Sequence, residues 1–202
     1  MSDISQERIE RTIQFHGHSC PGLALGVRAS EVALHEFPRS RDEEIVAVVE
    51  TDNCAVDAIQ YLTGCTFGKG NLIHLDYGKN AFTFRRRSDG KGIRLVARPE
   101  IFQETDEDAL ALRRKMGHGE LTPEERLRLD QVVAERTKRI MDAPLEDLFE
   151  REGVHSPMPR KARILESLTC DACGEATMES RTRRLFGQTL CIPCFEALEK
   201  RQ

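Results

Sequence analysis

A chain of 202 residues can hold one generous domain, or one medium domain with a small module beside it. Its hydrophobic fraction of 39% is enough for a core, and its net charge of -4 gives no general pull toward nucleic acid or anionic lipid. No apolar run reaches membrane-span length, and the polar opening MSDISQERIERTIQFHGH carries no secretory-type stretch, so a cytoplasmic protein is expected.

Residues 3–14 predict a short helix leading into FHGHSCPG. A second helix follows, with Leu23, Gly26, Val27, Ser30, Ala33, Leu34 and Phe37 at helical spacing, Pro21 in its first turn and Pro38 at its end. The β-branched run 44–51 predicts a buried strand, and Ala55, Ala58, Ile59 and Leu62 a short helix stopped by Gly64. Region 72–98 is extended, with alternating runs on either side of an SDGKG turn that predict an antiparallel hairpin. From Glu100 to Glu152 the chain is polar and helical, with a capping box at Thr122–Glu125 and a last short helix in PLEDLFERE. The order predicts an α+β core, an antiparallel sheet flanked by helices, over 1–152. Gly and Pro mark a linker over 153–166, and a small treble-clef or zinc-ribbon domain fills 167–202.

The seven cysteines are odd in number in a long chain with no export signal, so a disulfide scaffold is not expected. Four form two Cys-x-x-Cys pairs, Cys170/Cys173 and Cys191/Cys194, joined by a segment that can make a hairpin turning near Gly187. Two such knuckles supply the four thiolates that tetrahedral zinc needs. A four-thiolate site is closed, hence structural, and a module this small depends on its metal to fold. The arginines at 181, 183 and 184 are balanced by acidic neighbours and aromatics are few, so no nucleic-acid partner is expected.

The remaining cysteines sit in the first third of the chain. His16, His18 and Cys20 place three metal or proton-transfer groups in five residues, and in an extended chain this spacing puts them on one side. Cys20 lies beside a helix N-terminus, which favours thiolate. Cys54 follows Asp52 and Asn53 at a strand-to-helix junction, where the dipole lowers its pKa while Asp52 and Asp57 raise it. The segment from Gly64 to Asn71 fails as a phosphate-binding loop: three residues, not four, precede Gly68-Lys69, and Gly70 follows. Its glycines allow close backbone approach, with Lys69 as a positive charge; Cys65 is either part of a site or buried and inert.

FHGHSCPG (15–22), ETDNCAVDAIQYLTGCTFGKGN (50–71) and DYGKNAFTF (76–84) occur in the order that closely resembles the FmdE family, named for a component of formylmethanofuran dehydrogenase. The linker PRKARILES and the ribbon look like the longer members. The resemblance implies an intertwined homodimer and a cleft with Asp52 and Cys54 at its heart and His16, His18, Cys20, Cys65 and Lys69 around it. It also raises a molybdenum or tungsten enzyme complex as partner. Nothing in the chain resembles a pterin-binding or iron–sulfur-binding component, so it cannot carry out that complex's reaction alone. Three functions follow as expectations. The first is an oxidoreductase-associated enzyme or catalytic accessory, with a second transition metal in the core cleft beside the structural zinc. The second is an accessory that handles metal or molybdenum cofactor. The third is a zinc-finger regulator.

Overall fold

The computed structural model describes residues 2–103, 107–119 and 121–200. The chain divides into two units, Met1–Lys161 and Ala162–Gln202. No described helix is long and apolar enough to cross a membrane.

The first unit opens with α1 (Gln6–His16) and α2 (Pro21–Glu36), then β1 (Ile45–Val49) and α3 (Ala55–Thr63). Next come β2 (Leu72–His74) and the hairpin β3 (Ala81–Arg86) and β4 (Gly92–Ala97). A 3₁₀ turn (Pro99–Phe102), α4 (Glu107–Gly117), α5 (Pro123–Asp142), the single turn α6 (Leu145–Leu148) and β5 (Phe149–Gly153) complete it. The five strands lie in the order β2-β1-β3-β4-β5. All pairings are antiparallel except β1 with β2, where α3 makes the crossover that a parallel pair requires.

Helix α2 is buried from Leu23 to Ala33. Arg28, only 2% exposed, is tolerated there because it donates to Glu31 Oε2 and to the Ala143 carbonyl, both at 2.7 Å. The main core gathers Leu25, Ala29 and Val32 of α2, Ile59 of α3, and Phe82, Phe84 and Leu95 of the hairpin. Helix α5 starts at the predicted capping box, with Thr122 Oγ1 accepting from Glu125 N and Glu125 Oε2 from Thr122 N.

One predicted element changes type. PLEDLFERE is helical only over Leu145–Leu148; Phe149–Gly153 is instead the edge strand β5. Helix propensity of Glu and Leu is overridden by the ladder to β4, which buries Phe149 while Glu150–Glu152 stay in solvent. The predicted linker is likewise held in its first half: Arg85 donates to Ser156 O (2.6 Å) and Arg87 to Pro159 O (2.6 Å).

Arg94 clasps three strands. Its Nε and Nη2 donate to the two carboxylate oxygens of Glu50 (2.8 and 3.0 Å) and its Nη1 to Glu152 Oε2 (2.6 Å). Glu50 is 7% exposed, so Arg94→Met strands a buried carboxylate. Urea denaturation is expected to show a loss of about 1–2 kcal/mol, tempered by Arg94's partial exposure, and Glu50→Gln in the same chain should recover part of it.

The second unit holds the hairpin β6 (Ser167–Thr169) and β7 (Ala176–Met178), the hairpin β8 (Thr182–Leu185) and β9 (Gln188–Cys191), and α7 (Ile192–Glu199). Its core consists of Cys170, Leu190 and Cys191, with Leu185, Cys194 and Phe195 packed against them.

Candidate metal centres

In the first unit, α1 stops at His16 because Gly17 turns left-handed (φ 96°) and returns its N–H to Ile13 O. The chain doubles back, and Cys20 becomes the N-cap of α2, its Sγ accepting from Leu23 N at 3.4 Å. Cys54 is the residue before α3, whose start is set by Asn53: its Oδ1 accepts from Ala55 N and its Nδ2 donates to Asn80 Oδ1. Two glycines let these helix starts meet. A Cβ on Gly26 would lie 2.2 Å from the Ala55 carbonyl oxygen, and one on Gly22 would lie 3.2 Å from Cys54 Cβ. Their absence of side chain brings α3 against α2 and Cys54 beside Cys20.

The outcome is a four-donor cluster. One atom each of His16, His18, Cys20 and Cys54 lies within 4.8 Å of the others. Ligands of a tetrahedral Zn²⁺-type ion sit ~3.3–3.8 Å apart, so modest side-chain adjustment would close the set on a cation. The His16 and His18 rings are 4.5 Å apart. His16 Nδ1 lies 2.7 Å from Asp57 Oδ2, and its Nε2 is buried with no hydrogen-bond partner among the described residues. Burial, and then the hydrogen bond with Cys20, push the Cys54 thiol up. Without a cation two close sulfurs resist holding two negative charges; a dication would reverse that and take up the orphan nitrogen.

In the second unit the turn between β6 and β7 carries Cys170 and Cys173, with Gly174 left-handed (φ 76°) and donating to Cys170 O. Cys191 ends β9 and Cys194 lies in the first turn of α7. The four sulfurs meet within the same 4.8 Å limit. Cys191 N donates to Cys170 Sγ, and that contact leads the backbone hydrogen bonds holding the Cys170 thiol down to about 6. Cys194, crowded by the sulfurs of Cys191 and Cys173, is pushed up to about 12. Such a set stabilises one thiolate unaided and needs a cation for the rest. The predicted hairpin turns at Phe186 (φ 49°) and Gly187 (φ 81°).

Residues 15–150 match the family described as "FmdE, Molybdenum formylmethanofuran dehydrogenase operon". The chain belongs to the FmdE family. Residues 163–200 match the prokaryotic dksA/traR C4-type zinc finger, which together with the converging sulfurs makes the four-cysteine set a structural zinc site. A crystal structure of a tungsten formylmethanofuran dehydrogenase FmdE-like protein from Syntrophus aciditrophicus superposes with a TM-score of 0.64 and 26% identity, covering 95% of this chain and 92% of that one. A protein of Archaeoglobus fulgidus named "Probable S-adenosyl-L-methionine-binding protein" is 37% identical over 192 residues, 91% of this chain. The chain spans about half (51%) of that relative's length.

Within this FmdE core the expected site residues fall into three groups. His16, His18, Cys20 and Cys54 come together. Asp52 lies at the mouth, lining a cavity of about 460 Å³ together with His16, Cys54, Asp57, Phe67 and His74. Cys65 and Lys69 are elsewhere. Cys65 is buried with its thiol toward Ile45 O (3.6 Å), and burial pushes that thiol up. Lys69 Nζ donates to the carbonyls of Arg41 and Asp42. Sequence reasoning misses three contributors as site residues: Asp57, Gly22 and His74. For Asp57 a signal exists, since Cys54-x-x-Asp57 spacing puts both on one helix face.

Proposed function

We propose that the FmdE core binds a divalent transition metal through His16, His18, Cys20 and Cys54 and acts as an enzyme or as a catalytic accessory to an oxidoreductase. The observation that carries this reading is the convergence of the four donors, together with the buried Nε2 of His16, which has no hydrogen-bond partner among the described residues. His16, Cys20 and Cys54 are half-buried while His18 is exposed, so three donors form the firm part of the site. A Cys₂His set with an exchangeable fourth position is a catalytic arrangement, and the cavity beside Cys54 offers space for substrate. The metal would supply Lewis acidity. Of the chain's own residues, Asp52 would meet a polar substrate group at the cavity mouth.

The exposure of His18 and the family's description by a molybdenum formylmethanofuran dehydrogenase operon favour a second reading, in which the same residues hold metal or cofactor cargo reversibly for a molybdenum or tungsten enzyme complex. The exposed Leu110, Met116 and Leu127 of α4 and α5 support a homodimer joined through this helical pair.

Metal analysis of the full chain separates these readings. Two tightly held equivalents are expected. The double variant Cys173→Ser/Cys194→Ser should lose one, and Cys20→Ser/Cys54→Ser the other. A single equivalent that vanishes with the finger variant overturns the catalytic reading.

A further inference from the structure

We infer that Asp57 is the positioning residue of the core centre: it fixes His16 as the Nδ1–H tautomer and thereby presents the Nε2 lone pair to the two sulfurs. The inference deepens, and rests on, the metal-binding reading of that cluster.

The contact is short and sheltered. His16 Nδ1 lies 2.7 Å from Asp57 Oδ2, with the His16 side chain 10% exposed and that of Asp57 39% exposed. An ionised carboxylate can only accept, so the proton of this bond sits on Nδ1. A neutral ring then carries its lone pair on Nε2, the atom that is buried without a partner among the described residues and belongs to a ring 4.5 Å from that of His18. A carboxylate behind a ligating imidazole sets both its orientation and its basicity.

Asp57 is itself held in place. It lies in the first turn of α3. Gln60 Nε2 donates to Asp57 Oδ1 (3.4 Å), and the amide of Gln60 is oriented by Phe67 N, which donates to its Oε1 (3.1 Å). The backbone of the loop after α3 thus reaches His16 through two side chains. Cys54 and Asp57 stand three residues apart at the start of one helix, so one element supplies a sulfur donor and the support of a nitrogen donor. This arrangement explains why a helix-terminal histidine from α1 is locked to α3 rather than left in solvent.

The test uses the full chain with its finger filled with zinc, ¹⁵N-labelled histidine and added Co²⁺. In the wild-type apo core, the ring-nitrogen shifts of His16 should report the Nδ1–H tautomer. In Asp57→Ala the tautomer preference should be lost, and Co²⁺ affinity at the core should fall by ~10–100-fold, with a changed thiolate-to-cobalt absorption band. Asp57→Asn keeps an acceptor oxygen, so it should retain the tautomer and lose less affinity. A purely structural role would lower stability and leave tautomer and absorption band unchanged. Retention of the Nδ1–H tautomer in Asp57→Ala, or an unaltered Co²⁺ affinity, overturns the inference. If the wild-type core takes up no Co²⁺ while its tautomer still responds to Asp57→Ala, the positioning stands and the metal-binding reading is what fails.

Discussion

Removing zinc with a chelator should unfold Ala162–Gln202 and leave Met1–Lys161 folded. Among its described residues the finger buries only Cys170, Leu190 and Cys191, with three partly buried neighbours, far too little to order its segment unaided. Zinc held by four thiolates contributes on the order of 10 kcal/mol in modules of this size, which is the whole of their stability. Circular dichroism would show loss of the small hairpins, and amide exchange would localise the change. Cys170→Ser should reproduce it, because Cys170 is the one thiol the backbone already holds as thiolate near neutral pH. Acidification should release the metal, because protons compete with zinc for all four thiolates. In the metal-free finger Cys170, held down to about 6 by backbone hydrogen bonds, resists protonation to lower pH than Cys173 and Cys194, whose thiols are pushed up. A finger that keeps its exchange protection without zinc would contradict the argument.

Gly26→Ala should be among the most damaging small substitutions in the first unit, and the one that bears directly on the core centre. Its new methyl would lie 2.2 Å from the Ala55 carbonyl oxygen and 2.7 Å from Ala55 Cα, which are backbone atoms with no rotamer to yield. Relief requires moving α3 away from α2, at a cost of about 3 kcal/mol or more. The displacement would also carry Cys54 away from Cys20, so core metal uptake should fall together with thermal stability. The control is Gly68→Ala, where nothing lies within reach of the added methyl and both measurements should hold.

The finger is legible in the sequence because its chemistry is local: two Cys-x-x-Cys knuckles and a hairpin between them leave little freedom, and Gly187 marks the turn. The donor types of the core are legible too, although extended spacing is only part of why they meet. An extended chain would align His16, His18 and Cys20; instead His16 is the last residue of a helix, and the left-handed Gly17 redirects the chain. The family motif groups Cys65 and Lys69 with Cys54 because they share one contiguous stretch. In space α3 intervenes, and its nine residues run ~13 Å, so Cys54 caps one end while Cys65 follows the other. β5 reads as helix because Glu and Leu favour one in isolation, and only the long-range ladder to β4 decides otherwise. What the chain does not display is chiefly close approach: Gly22 and Gly26 show their role only once α3 lies against them.

The same crossing gives the core centre a mechanical meaning. Three of its donors arise within five residues and the fourth lies ~34 residues beyond Cys20, so a cation held there would cross-link the ends of a loop comprising all of α2 and β1. In a cell compartment that keeps thiols reduced it would take the place a covalent bridge occupies in exported domains, restricting the unfolded chain by the equivalent of ~3–4 kcal/mol. Metal supply would then govern how long the protein survives as well as what it does.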